Sequence, residues 1–209
     1  MIAAGEYRVR LAARRDLHVL PIIERMAAAR FREVGLDQAY GRCFISAEEF
    51  EARQHRGVLW VVANELGRPV GFATCSQIDD SAHLDEIDVL PQHGRRGVGS
   101  SLLRAVCAWA RSRSFPAITL STTRGVPWNE PFYRRRGFHE LDESSYTTGI
   151  RRLRAAEDAA GLPVGNRLIM KRDLVSSRPP HGCGRTTIRR RETRGRCAIG
   201  SLVETAARG

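Results

Sequence analysis

The sequence predicts one α/β domain, and three observations carry that expectation. Strand-like runs at residues 7–11, 59–63, 70–74, 82–90, 117–122 and 166–172 are interleaved with stretches of helical periodicity. A glycine-rich turn, Gly94-Arg95-Arg96-Gly97-Val98-Gly99, stands between the strand at 82–90 and the next helical stretch. At 209 residues the chain can bury one sizeable core and carry an appendage, whereas two full domains would be cramped.

Taken in order, Tyr7 to Leu11 reads as the first strand. Between Asp16 and Phe31, the residues Leu17, Leu20, Ile23, Ala27 and Phe31 recur at helical spacing and predict one amphipathic helix. Ser46-Ala47-Glu48-Glu49 has the form of a capping box and opens a helix to about Gln54. The runs at 59–63 and 70–74 flank Glu65-Leu66-Gly67-Arg68-Pro69 and read as a hairpin. Within 82–90, a period of two puts His83, Asp85, Ile87 and Val89 on one face and Leu84, Glu86, Asp88 and Leu90 on the other. Val98, Leu102, Leu103 and Val106 carry the helix after the turn to about Arg113. A strand at 117–122 follows, then a short helix around Tyr133 that Gly137 ends, and Phe138 re-enters a strand. Residues 147–160 read as a helix and 166–172 as a last strand. Past Leu174 the periodicity fails, so the expected organisation is a domain over 1–174 and a basic, disordered tail over 175–209.

The net charge of +11 is unevenly spread: residues 176–209 hold eight arginines against Glu192 and Glu204, which is +6 of the total. Lys171 is the sole lysine, a bias that GC-rich codon usage explains economically, and aromatics are not interleaved with the basic residues. A solvated surface is therefore the expectation, in preference to a nucleic-acid face. Cys43, Cys75, Cys107, Cys183 and Cys197 are odd in number, widely spaced and free of any Cys-x-x-Cys pair, which fits a reducing cytoplasm and argues against a zinc site. Neither a secretion signal nor a membrane span is indicated.

The glycine turn is the chemical signal. Gly97 and Gly99 remove Cβ atoms where backbone approaches a ligand, and the free amides of a helix N-terminus favour a phosphate. No Gly-Lys-Ser/Thr follows and the three-glycine dinucleotide fingerprint is unmet, which disfavours metal-triphosphate and hydride-transfer chemistry. A second motif, Tyr133-Arg134-Arg135-Arg136-Gly137-Phe138, lies one helix and one strand downstream. In this ordered pair the chain, over about residues 6–174, resembles the GCN5-related N-acetyltransferase (GNAT) superfamily. Two positions depart from that pattern: Gly94 stands where the family usually has Arg or Gln, and Val126 where many members have Asn, for which Asn129 is either a stand-in or, more simply, the N-cap of the short helix.

The resemblance implies a GNAT fold, with a mixed, mostly antiparallel and splayed sheet flanked by helices. It implies acetyl transfer from acetyl-CoA, as co-substrate and without a metal, to a primary amine of a small molecule or peptide in a ternary complex. Homodimers are frequent in the family. By position, Ile87, Asp88 and Val89 make main-chain contacts to the pantetheine arm, with the Val89 N–H as oxyanion donor, and Arg95, Arg96, Gly97, Val98, Gly99 and Ser100 hold the pyrophosphate. Tyr133 matches the general acid. His83, Asp85 and Glu86 are the candidate bases, with Glu86 turned away unless a bulge intervenes. Trp128, Met26, Phe31 and Tyr40 are candidates for the acceptor pocket, and Trp109 for the core. The missing side chain at Gly94 leaves open a different class, a non-catalytic acyl-CoA-binding or regulatory module.

Overall fold

Seven strands form one sheet: β1 (Tyr7–Leu11), β2 (Leu59–Asn64), β3 (Pro69–Ile78), β4 (Ser81–Val89), β5 (Ala117–Thr123), β6 (His139–Glu140) and β7 (Arg167–Asp173). Their order is β1-β2-β3-β4-β5-β7-β6, antiparallel throughout except for β4 beside β5. Six helices accompany them among the described residues: α1 (Leu20–Ala28), α2 (Asp37–Tyr40), α3 (Ala47–His55), α4 (Val98–Ser112), α5 (Glu130–Arg134) and α6 (Thr148–Ala159). This computed structural model describes residues 6–40 and 44–174. The expected tail and Cys43, Cys183 and Cys197 lie outside the described residues.

The amphipathic stretch at 16–31 is broken where one helix was expected. A 3₁₀ segment (Arg14–Val19) precedes α1 and another (Ala29–Val34) follows it. Pro21 sits in the first turn of α1, where its missing N–H costs nothing and an uninterrupted helix could not pass. The carboxylate of Asp16 fixes the turn before it, accepting from the Ala13 N–H at 2.7 Å and from Arg10 at 2.9 Å. At α3 the Ser46 hydroxyl accepts from the Glu49 N–H at 3.2 Å, but the Glu49 carboxylate pairs with Arg53 at 2.8 Å, so only half of a capping box forms.

One face of the sheet is covered by α4. Its Val98, Leu102, Leu103, Val106 and Ala110 are buried with Val62, Ala73, Leu84, Ile118 and Leu120, each large side chain stabilising the fold by about 1.5–3 kcal/mol. Trp109 packs edge-on to Trp60 at this layer's margin. The opposite face is covered by α1 and α3, where Leu20, Ile23 and Phe50 meet Leu59, Val61 and Phe72. Further along that face, Ile150 from α6 packs on Ile78 and Ile169.

Two irregularities of β4 shape everything that follows. Opposite β3, Thr74 pairs with Glu86 and the adjacent Cys75 with Leu84, so Asp85 is an extra residue, a bulge. Opposite β5, pairing is confined to Ala82–Leu84 against Ile118–Leu120, although both strands continue. Beyond Leu84 the two strands part, and the sheet opens.

Candidate functional site

The bulge resets which face each β4 side chain occupies. Residues paired across antiparallel strands share a face, so His83 lies with Ser76, Glu86 with Thr74 and Asp88 with Phe72. Leu84, Ile87 and Val89 lie on the other face, with Cys75, Ala73 and Gly71. This corrects the uninterrupted alternation, which put Ile87 and Val89 with His83 and set Glu86 apart from it. One extra residue turns His83, Asp85, Glu86 and Asp88 towards a single cleft, whose volume is about 1420 Å³.

The backbone of the parted segment is equally ordered. The Leu90 N–H donates to the Val70 carbonyl of β3 at 2.9 Å. Alternation then turns the main-chain groups of Asp88 towards β3 as well, and those of Ile87 and Val89 towards the gap beside β5. Gly71 belongs to this arrangement: a Cβ there would lie 2.6 Å from the Asp88 carbonyl oxygen. Of the three main-chain contacts expected, Ile87 and Val89 thus face the gap, while Asp88 presents its carboxyl to the cleft.

At the strand's end, Gly97 with φ +79° is the N-cap of α4 and Arg95 also takes a positive φ, +57°. The first intrahelical bond runs from Ser101 to the Gly97 carbonyl at 3.0 Å. Among the described residues, the amides of 95–100 meet no backbone acceptor, and residues 95–100 line the cleft. A Cβ on Gly99 would stand 3.5 Å from the Phe132 ring, an ordinary contact, so Ala would also fit there. Arg136 lies over the Phe132 ring at 3.7 Å and bonds the Phe132 carbonyl at 2.7 Å and the Ser100 hydroxyl. With Arg96 and Arg104 it makes this end of the cleft cationic. Gly94 contributes no side chain; its N–H closes the preceding 3₁₀ turn on Pro91 at 3.0 Å.

The candidate bases differ in their surroundings. His83 is buried, its Nδ1 is 2.8 Å from the Thr119 hydroxyl, and burial lowers its pKa so that the ring is neutral. Asp85 accepts from Arg53 at 2.9 Å and from Ser76 at 2.6 Å. Glu86 has no ion-pair partner among the described residues. Burial pushes its pKa up to about 7, against the pull of Arg167 and Arg53. Asp88, likewise unpaired, is raised well above the carboxylate range by burial and by Glu86 and Glu24.

Across the gap, Tyr133 on α5 is buried between Phe132 and Phe138, with ring centroids at 5.1 and 5.8 Å. Gly137 at φ +80° ends this helical segment and turns Phe138 back onto the ring. Burial and the neighbouring Glu86 and Asp88 raise the phenol's pKa, so it stays protonated. Asn129 is the N-cap of α5 through its carbonyl, which accepts from Phe132 and Tyr133; its side chain makes no capping bond and lines the cleft. Trp128 also lines it, with Arg30 over its ring at 4.1 Å, and Phe31 stacks on Tyr40 at 4.1 Å. Met26, expected in this pocket, is 41% exposed and lies outside its lining, because it is off the face of α1 that buries Leu20, Ile23 and Glu24.

Three further groups were not singled out from the sequence. Glu24 on α1 is 4% exposed and lines the cleft; one carboxylate oxygen accepts from the Ile45 N–H at 2.9 Å, and the other has no partner. Its position four residues after Leu20, on the apolar side of the helix, was the available signal. Arg53 and Arg167 are the cationic counterparts. Arg53 is held by Glu49, Asp85 and Thr74. Arg167 is held by Glu157 at 2.7 Å, Tyr40 at 2.6 Å and Ser121 at 3.0 Å.

Comparison with known proteins places this arrangement. Two mouse proteins, N-acetyltransferase family 8 members 3 and 7, are each 28% identical over 99 residues, which is 44% of this chain and 43% of theirs. The match therefore spans less than half the length of these relatives. Among solved structures, the PaiA N-acetyltransferase of Thermoplasma acidophilum, in complex with coenzyme A, superposes with a TM-score of 0.59 at 15% identity, over 80% of this chain and 98% of that one. The ribosomal-protein-S18-alanine N-acetyltransferase of Escherichia coli gives 0.57 at 19% identity, over 83% and 97%. Both likenesses are of fold: a mostly antiparallel, open sheet flanked by helices. The model of the acetyltransferase (GNAT) family matches residues 21–138, from α1 through the glycine turn to the end of the Tyr133 motif, and the chain belongs to that family.

Proposed function

We propose that this protein is an acetyl-CoA-dependent N-acetyltransferase, with Glu86 as general base and Tyr133 as general acid. The observation that carries this reading is the parting of β4 from β5 beside a cradle of free amides, with an unpaired carboxyl on one side and a protonated phenol on the other. The residues fit coenzyme A as co-substrate. The amides of 95–100, with Arg136 and Arg104, would hold the diphosphate, and the gap-facing main chain of Ile87 and Val89 would receive the pantetheine arm as a strand. The complex of the Thermoplasma acidophilum protein with coenzyme A supports this choice of ligand.

Acetyl-CoA supplies the activated thioester carbonyl. The Val89 N–H, which faces the gap, would donate to the developing oxyanion, a contribution worth about 3 kcal/mol in comparable sites. Glu86 takes the proton that the acceptor ammonium must lose. Among the three candidates it is the one free to do so, since Asp85 is committed to Arg53 and Ser76 and His83 is buried on Thr119. Its pKa of about 7 suits a base working near neutrality. Tyr133 holds the proton given to the departing thiolate. The overall exchange makes one C–N bond, breaks one C–S bond, and leaves a neutral amide and a thiol.

The test is thiol release from acetyl-CoA against a panel of primary amines across pH. For wild type, kcat/KM rises as pH passes about 7; Glu86→Gln loses that limb and about a hundredfold or more of the rate. Calorimetric binding of coenzyme A with no thiol release from any amine would replace this reading with a non-catalytic acyl-CoA module.

A further inference from the structure

The cleft is electrically divided. Arg96, Arg104 and Arg136 gather at the glycine turn, whereas Glu24, Glu86 and Asp88 gather between α1 and β4. Of the guanidinium groups that act on these carboxyls, Arg53 is committed to Glu49 and Asp85 and Arg167 to Glu157, while Arg25 lies over the Phe44 ring and makes no ion pair with Glu24 among the described residues. No ion pair engages Glu24, Glu86 or Asp88 among the described residues. Glu24 lines the cleft, and one of its oxygens is buried without a hydrogen-bond partner. A buried carboxyl left in this state needs a donor. One cation would serve the amine that reacts, yet three carboxyls converge.

We infer that the acceptor site of this protein takes an amine bearing a second cationic centre, with Glu24 and Asp88 receiving the ammonium that does not react. The inference rests on the proposed transfer reaction for the role of Glu86, and it adds the acceptor class. An alkyl diamine satisfies the arrangement: one nitrogen stands at Glu86 beside the thioester, and the other supplies donors to the unpartnered oxygen of Glu24. The methylenes between them meet the apolar flank of Phe31, Phe44 and Ile45. The cation also offsets the repulsion that the three carboxyls exert on one another once ionised. Other charges facing the cluster are Arg25 on α1, Arg53 on α3, Asp85 on β4, Arg167 on β7 and the Tyr133 phenol on α5. Carboxyls held protonated by burial then ionise as the cation enters, so binding releases protons to the buffer.

The test is calorimetric titration of diaminobutane, against n-pentylamine in which a methyl replaces one ammonium, with coenzyme A present and in buffers of different ionisation enthalpy. Diaminobutane is expected to bind about tenfold or more tightly and to release protons, and Glu24→Gln to reduce the preference to about twofold. The amide retains an acceptor for the Ile45 N–H. Asp88→Asn gives a second, independent reading of the same preference. Equal affinities for the two amines in wild type, or a preference that survives both substitutions, overturns the inference. Because binding is read without turnover, diamine preference without thiol release would retain this site and discard the transferase reading. Efficient acetylation of pentylamine with equal affinities would do the reverse.

Discussion

Replacing Glu24 by Gln isolates the cost of a buried carboxyl. Burial, with Glu86 adding to it, pushes the Glu24 pKa from an ordinary 4.5 up to about 8, against the pull of the Ile45 N–H and of Arg25 and Arg53. The unfolded chain ionises this group near its ordinary value, so between the two pKa values the folded state binds more protons than the unfolded one. Stability therefore falls as pH rises through that window, by about 1.4 kcal/mol per pH unit, and levels off above the folded value. The full loss comes to roughly 4–5 kcal/mol as an upper figure, and to about 3 once local relaxation admits water. Glutamine keeps the acceptor for Ile45 and carries no charge. Urea denaturation of both proteins at a series of pH values reads the difference. Near pH 5 the two should be alike within about 1 kcal/mol, and near pH 9 the variant should be the more stable by about 3 kcal/mol. The burial of Glu86 and Asp88 is common to both proteins and cancels, while the loss of their repulsion with Glu24 favours the variant at high pH in the same direction. Parallel stability curves would refute the assignment of a strained, unpaired carboxyl to Glu24.

Three other perturbations follow from the same geometry. Tyr133→Phe should lower turnover by about a hundredfold in a thiol-release assay and leave coenzyme A affinity within about twofold, the ring packing being retained; unchanged turnover removes Tyr133 from the acid role. Gly97→Val forces a β-branched residue into φ +79°, at a cost of about 1–2 kcal/mol, and should weaken coenzyme A binding about tenfold by calorimetry. Wild-type affinity in that variant would dismiss the amide cradle. Glu157→Ala leaves Arg167 and Arg154 without their shared, buried carboxylate and should cost about 3–5 kcal/mol in urea denaturation; a loss below about 1 kcal/mol would mean that the network adds nothing to the fold.

Much of this protein is written locally. The strands, the helix after the glycine turn and the Gly137 stop are set by period, β-branched content and turn chemistry within a few residues, and the GNAT motif pair lies in short segments that keep their spacing. The α/β class and the position of the glycine turn between strand and helix follow from those alone. Where a neighbour far along the chain decides, the local pattern misleads. One extra residue at Asp85, defined only against Thr74 and Cys75 of β3, reverses the faces of Ile87 and Val89 and joins Glu86 to His83. The parting of β4 from β5 depends on a parallel partner more than thirty residues away. Which carboxyl is free is decided in the same manner. Asp85, Glu86 and Asp88 are alike in sequence, and only the reach of Arg53 from α3 neutralises the first and leaves the others open to the cleft. Glu24 was legible as a charge on an apolar helix face, but its unsatisfied oxygen follows from burial beneath elements folded over it. Composition and period act through nearest neighbours along the chain, whereas pairing register, ion-pair choice and desolvation act through space.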